Sequence, residues 1–196
     1  MRGMFAIGRP RVFPLLPHPR GLAAGSARVR AICGWSSNGD LAIRYALEGF
    51  PAGVTVPDLP RGQRLDGLWR HTCCEAFIGM ADTPGYREFN FSPSGAWAAY
   101  DFADYRRGGR DAAASAPRIA CRRHADGLEL QAVVRAVDLP GEGPSRLGLA
   151  VVVEHAGGRL GYWALAHPAE QPDFHHPGAF GATLDGRETK DDATCC

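Results

Sequence analysis

The sequence predicts an all-β fold, a sandwich or barrel of short antiparallel strands. Three observations carry that expectation. Apolar and polar residues alternate in short runs, the two-residue period of a half-buried strand. Gly, Pro, Asn or Asp closes nearly every run, so turns recur at roughly 8–12-residue intervals. Stretches with the period of an amphipathic helix are scarce.

The first run holds Val29, Ile32 and Cys33 and ends at Gly34. After Asn38–Gly39–Asp40, the segment LAIRYAL places Leu41, Ile43, Tyr45 and Leu47 on one side. Asn-Gly between alternating runs predicts a hairpin, because both residues accept the left-handed backbone of a tight turn. Residues 49–68 are rich in Pro, Gly and charge and predict a long loop. HTCCEAFIGM, YREFNFS and AWAAYDF then predict strands, with turns at Asp82–Gly85 and Ser92–Gly95. Residues 104–116 read as a further loop. PRIACRR and GLELQAVVRAVDL flank an Ala125–Asp126–Gly127 turn, and RLGLAVVVEH and RLGYWAL flank Gly157–Gly158, predicting two more hairpins. The polar loop HPAEQPDFHHPG precedes a last strand, AFGATL. Residues 1–27 read as an N-terminal arm or edge strand, 28–184 as one domain, and 185–196 as a disordered tail.

Composition narrows the function. The 196-residue chain carries 22 Lys and Arg against 21 Asp and Glu, a net charge of +1. Nucleic-acid clamps and membrane-surface binders usually need a basic excess, so neither partner is expected. Lys190 is the sole lysine, which reads as the codon bias of a GC-rich bacterial genome. The six cysteines form no CxxC pair and no disulfide framework. Pro10, Pro14, Pro17 and Pro19 break the apolar N-terminal run, so no signal peptide is predicted. A cytoplasmic protein is the expectation.

Two strands sort their side chains. From Trp69, one face carries Trp69, His71, Cys73, Glu75 and Phe77, and the other Thr72, Cys74, Ala76 and Ile78, which look like core. In the next strand Phe89 and Phe91 form the apolar face, with Glu88 and Asn90 opposite. Paired as antiparallel neighbours, these strands show an aromatic, an imidazole, carboxylates and a carboxamide on one face. A pyranose has an apolar C–H face that stacks on a ring and hydroxyls that carboxylates and amides read. Alternation alone also permits the plainer reading, with Trp69 a packing residue and Glu75 and Asn90 solvated.

DGLWRHTCCEAFIG, YREFNFSPSGAWAAYDF and GYWAL…DFHHPGAFGATL, in this order and spacing, resemble the DOMON-like domains. More closely they resemble the family 9 carbohydrate-binding modules, over roughly residues 28–184. The resemblance implies a two-sheet antiparallel β-sandwich, a jelly roll, that binds sugars or, in some branches, haem. In the sugar-binding type a terminal saccharide sits between two tryptophans. Their positions fall on Trp69 and, before an x–x–Pro, on Phe174. The strand glutamate falls on Glu75, and polar positions fall on Asn90 and Gln171. His71, His175 and His176 bring imidazoles to the same neighbourhood. Phe174 departs from the pattern as a smaller ring, and Asn90 stands where a charged donor is common.

The expected function is non-catalytic capture of a small saccharide or sugar-like ligand. Trp69 and Phe174 clamp the ring, and Glu75, Asn90, Gln171 and one of His71 or His175 read its hydroxyls. A haem protein using His71 with Met80, and a glycoside hydrolase using Glu75 and Glu88, are the alternatives. No catalytic residue, metal site or cofactor is assigned: adjacent His175 and His176 point apart in extended chain, and zinc needs three or four converging ligands. A protein-binding role for the same face is a further alternative. Trp163 and Trp35 read as packing, and Trp97 with Tyr100 as lining the binding face or covering an edge.

Overall fold

The computed structural model describes residues 8–21, 25–50 and 53–185. The tail expected to be disordered lies, beyond Asp185, outside the described residues, as does its Cys195–Cys196 pair. The described chain is nearly all β, with 3-10 turns as its helical structure, and no helix in it is long and apolar enough to cross a membrane.

The strands are β1 (Gly8–Pro17), β2 (Arg28–Trp35), β3 (Leu41–Glu48), β4 (Cys73–Met80), β5 (Tyr86–Phe91) and β6 (Trp97–Phe102). They continue as β7 (Arg110–Asp111), β8 (Arg118–His124), β9 (Gly127–Val134), β10 (Ser145–Glu154), β11 (Leu160–Ala164) and β12 (Ala182–Leu184). All strand pairs are antiparallel. The order is β7-β6-β5-β4-β10-β11-β1-β2-β3-β9-β8, and β12 pairs the start of β10. The three predicted hairpins form as β2–β3, β8–β9 and β10–β11. Gly39, Gly157 and Gly158 take the positive φ their turns require, at 77°, 83° and 75°.

Two separate sheets were expected, with residues 1–27 as an arm or edge. Instead β1 lies between β11 and β2 and joins the strands into one curled path. It pairs β2 over Arg11–Leu15 and β11 at Leu16 and Pro17. For most of its length it therefore has a strand partner on one side. That is where a proline-rich strand loses least from its missing N–H groups. The prolines concealed the interior position of this strand in the sequence.

The curl brings two groups of strands onto one core. Leu41, Ile43, Tyr45 and Leu47 of β3 pack with Cys74, Ala76 and Ile78 of β4, Phe89 and Phe91 of β5, and Leu149, Val151 and Val153 of β10. Tyr45 ties the halves together: its buried hydroxyl donates to the Glu75 carbonyl across the core at 2.8 Å. The β4 residues expected to be core are core, and the alternate β4 residues face outward.

Gly127 shows how closely the β8–β9 turn sits on β3. A Cβ there would lie 1.9 Å from the Leu47 carbonyl oxygen, a backbone atom. Gly127→Ala is therefore expected to destabilise the protein by about 2–3 kcal/mol, at the upper end for forced overpacking. A lowered urea midpoint with an unchanged slope checks this.

Candidate ligand-binding site

A cavity of about 560 Å³ opens on the outer face of β6-β5-β4-β10-β11, the side turned away from the main core. This size falls in the ~300–1,000 Å³ range of small-molecule sites. Register assembles the floor. Glu88 of β5 lies beside Tyr100 of β6, and Val152 of β10 lies beside Tyr162 of β11. Glu75 of β4 sits between these pairs, and all five residues line the cavity.

Loops complete the walls. The 3-10 turn Leu68–Arg70, which leads into β4, supplies Trp69 and Arg70. The segment after β6 supplies Arg106, and the loop after β11 supplies Pro172, Phe174 and His175. Aromatic rings gather in two pairs. Trp69 meets Tyr100 edge-on at 6.1 Å, and Phe174 meets Tyr162 edge-on at 6.3 Å. Trp69 is 41 % exposed, whereas Trp97 and Trp163 are buried in the core. Exposing an indole forfeits burial free energy, which marks Trp69 as a ligand contact candidate on the cavity wall.

Two apolar clusters flank the polar floor. Leu59, Leu65 and Leu68 cover Cys73, Ala96 and Ala98 on one side. On the other, Phe77, Tyr86, Ala150 and Ala164 pack with Phe102, Phe174 and Phe180. Between them Glu75 and Glu88 are only 3 % and 4 % exposed. The Glu75 Oε1 has no hydrogen-bond partner. Glu88 Oε1 accepts from Asn90 Nδ2 at 2.6 Å, and its Oε2 lies 3.6 Å from His175 Nε2.

A relay of contacts fixes His175. The Arg106 backbone N–H donates to the Tyr86 hydroxyl at 3.3 Å, and that hydroxyl lies 2.8 Å from His175 Nδ1. Burial pushes the Tyr86 phenol up to about 12, so it keeps its proton at neutral pH. Burial, with the Arg106 guanidinium nearby, lowers His175 to about 4, so the ring is neutral at pH 7. Arg106 itself is engaged by Asp173 at 2.7 Å, and Tyr105 donates to the same carboxylate at 2.5 Å. Its backbone holds φ at 53°, a conformation that costs a non-glycine residue energy and recurs at binding sites.

Burial and the neighbouring Glu88 push the Glu75 carboxyl well above its ordinary range, and burial raises Glu88 to about 7. Both acids therefore hold protons in the folded state that the unfolded chain releases near pH 4.5. Stability falls wherever the folded state binds more protons than the unfolded one as pH rises. His175 acts in the opposite direction between its ordinary 6.5 and about 4, losing stability as pH falls. The two effects oppose each other below pH 6.5; above it the acids, joined near pH 9 by the buried thiols, act in one direction. The ligand-free protein is thus expected to lose thermal stability as pH rises from 6.5 through 7 and beyond. Glu88→Gln flattens that slope; melting temperature against pH checks both.

Four of the seven residues expected at the site line this cavity: Trp69, Glu75, Phe174 and His175. Three do not. His71 turns its Nδ1 to Glu154 Oε2 at 2.8 Å. Asn90 is fully buried, donating to Glu88 and taking the Cys73 thiol on its Oδ1 at 3.4 Å. Gln171 is exposed and off the wall. His176 accepts from the Gly178 N–H and meets the Tyr105 ring. Arg70, Arg106 and Tyr162 are contacts the sequence does not single out, and Tyr100, read as lining the binding face or covering an edge, lines the cavity. Alternation held the signal for two of them: Tyr100 is opposite core Ala99 in parity, and Tyr162 is opposite core Trp163.

No protein-family model matches the sequence, and no curated protein matches it. Solved structures do resemble the fold. A protein of Bacteroides uniformis ATCC 8492, for which carbohydrate binding is proposed, superposes with a TM-score of 0.61 at 13% identity, over 88% of this chain and 86% of that one. A family 9 carbohydrate-binding module of Caldicellulosiruptor kristjanssonii in complex with cellotriose gives 0.53 at 10% identity, over 94% and 87%. A family 9 module from the same organism in complex with glucose gives 0.52 at 10% identity, over 91% and 88%. The chain therefore resembles the family 9 modules in fold, as its sequence blocks do.

Proposed function

We propose that this domain binds a saccharide, without turning it over, in the cavity on the outer face of β6-β5-β4-β10-β11. The observation that carries the proposal is the arrangement of the wall: two edge-packed aromatic pairs, Trp69 with Tyr100 and Phe174 with Tyr162, around a floor of buried acids. Aromatic faces take the apolar C–H face of a pyranose, and carboxyl groups take its hydroxyls. That structurally similar modules hold cellotriose and glucose supports a sugar as the occupant.

In this reading Trp69 and Phe174 form the clamp. Glu75 and His175 contact hydroxyls, and Asn90 acts by holding Glu88 in place. The two strand groups around the shared core correspond to the two layers of a jelly roll within the DOMON-like group. Near-zero net charge supports a small ligand rather than nucleic acid or a membrane. No haem is assigned: of the pair considered, His71 is committed to Glu154. Cytoplasmic placement belongs to the same reading.

Calorimetric titration with glucose, cellotriose and a panel of other pyranoses tests it. Binding between micromolar and millimolar, about 4–8 kcal/mol, is the expected range for so open a site. Absence of heat with every sugar, in protein shown to be folded, contradicts the proposal.

A further inference from the structure

We propose that this cavity selects a saccharide bearing a free amino group, a 2-amino-2-deoxyhexose, and seats its ammonium between Glu75 and Glu88. The inference rests on the saccharide reading above and specifies its ligand class.

The floor carries two carboxyl groups on adjacent strands, each more than nine-tenths buried, and both line the cavity. Glu75 Oε1 is unpartnered there. A buried polar atom without a partner costs free energy unless a ligand or water supplies one. Among the described residues no arginine is ion-paired with either acid. The Arg106 guanidinium is near enough to favour both carboxylates, but it is bonded to Asp173 and burial outweighs it. His175 stands 3.6 Å from Glu88, outside hydrogen-bond reach, and is neutral. Asn90 satisfies one oxygen of Glu88 with a neutral donor.

A neutral sugar brings hydroxyls, each with one hydrogen to donate, and leaves the acids either protonated or uncompensated. An ammonium brings three donors and one positive charge. Charge-assisted bonds of this kind are shorter and stronger than neutral ones, most of all where water is excluded. The walls favour the same choice. Trp69, Tyr100, Phe102, Tyr162 and Phe174 line the cavity, and aromatic faces attract cations. Repulsion between two acids that share a pocket keeps a proton on the pair while the site is empty. A cation relieves that repulsion as it enters. Arg70 is exposed, where solvent screens its charge.

The test is titration of the full chain near neutral pH with glucosamine, glucose, N-acetylglucosamine, glucuronate and cyclohexylamine. Glucosamine is expected to bind about tenfold or more tightly than glucose, and the acetylated sugar to lose that advantage with its charge. In Glu75→Gln and Glu88→Gln, which keep side-chain shape, the glucosamine-to-glucose ratio falls toward one. Equal affinity for glucosamine and glucose overturns the amine and leaves the saccharide reading standing, as does preference for glucuronate. Cyclohexylamine bound as tightly as glucosamine overturns the saccharide reading and with it this inference. So does binding of none of the five by folded protein.

Discussion

Trp69→Ala is expected to abolish measurable saccharide binding while leaving the fold intact. The indole is 41 % exposed and projects from a 3-10 turn, so its removal empties no core volume. Its packing partner is Tyr100, at 6.1 Å on the cavity wall. Loss of a stacked aromatic removes buried apolar area worth ~1.5–3 kcal/mol, about a tenfold to hundredfold weakening. From a millimolar starting point that is below detection. Titration alongside a melting curve separates the effects: binding disappears while the melting temperature changes little. The matching change in the core, Trp163→Ala, is expected to do the reverse to stability, since that residue is 3 % exposed and packed in the main cluster.

Phe89→Ala is expected to cost ~3–5 kcal/mol of stability, enough to unfold a large fraction of a marginally stable domain. Phe89 is fully buried and stacks parallel to Phe91 at 6.2 Å. These two rings anchor β5 to the core by one face, while Glu88 of the same strand supplies the cavity floor on the other. A slip of one residue would send the acid inward and a phenylalanine outward. Core packing on one face thus fixes the acid on the other. Denaturant unfolding should show the loss in midpoint, and residual ligand affinity should fall in the fraction that stays folded. Glu88→Gln, by contrast, leaves the inner face of β5 untouched and is expected to affect stability only through pH.

Alternation in HTCCEAFIGM and YREFNFS made both faces of β4 and β5 legible, because a period of two admits one assignment once Phe89 and Phe91 are taken as core. It placed Glu75, Glu88 and Asn90 on one side together. It could not say which of them reaches the ligand. That depends on position along the strand: the loop carrying Leu59, Leu65 and Leu68 covers the Cys73–Ala98 end, where Asn90 pairs with Ala98. Asn90 is therefore sealed beneath the loop and Glu88, nearer Tyr100, takes its place on the wall. Arg106 was illegible for a different reason. It belongs to an Arg- and Gly-rich loop without periodicity, and its side chain is held by Asp173, 67 residues away. Residues 1–27 read as an arm or edge strand because prolines contradict an interior one, and the pairing of β1 with both β2 and β11 is a long-range outcome of the curl.

Four tryptophans give the protein four indole N–H signals, and these locate the ligand without any substitution. In an NMR titration with cellotriose, glucose and glucosamine, the Trp69 indole should shift and saturate, together with the amides of Glu75, Glu88, Tyr162 and Phe174. The Trp35, Trp97 and Trp163 indoles should hold still. A Trp69 signal that stays in place throughout, or sugar-induced shifts that map to another face, would show that the cavity on the outer sheet is not where a saccharide binds.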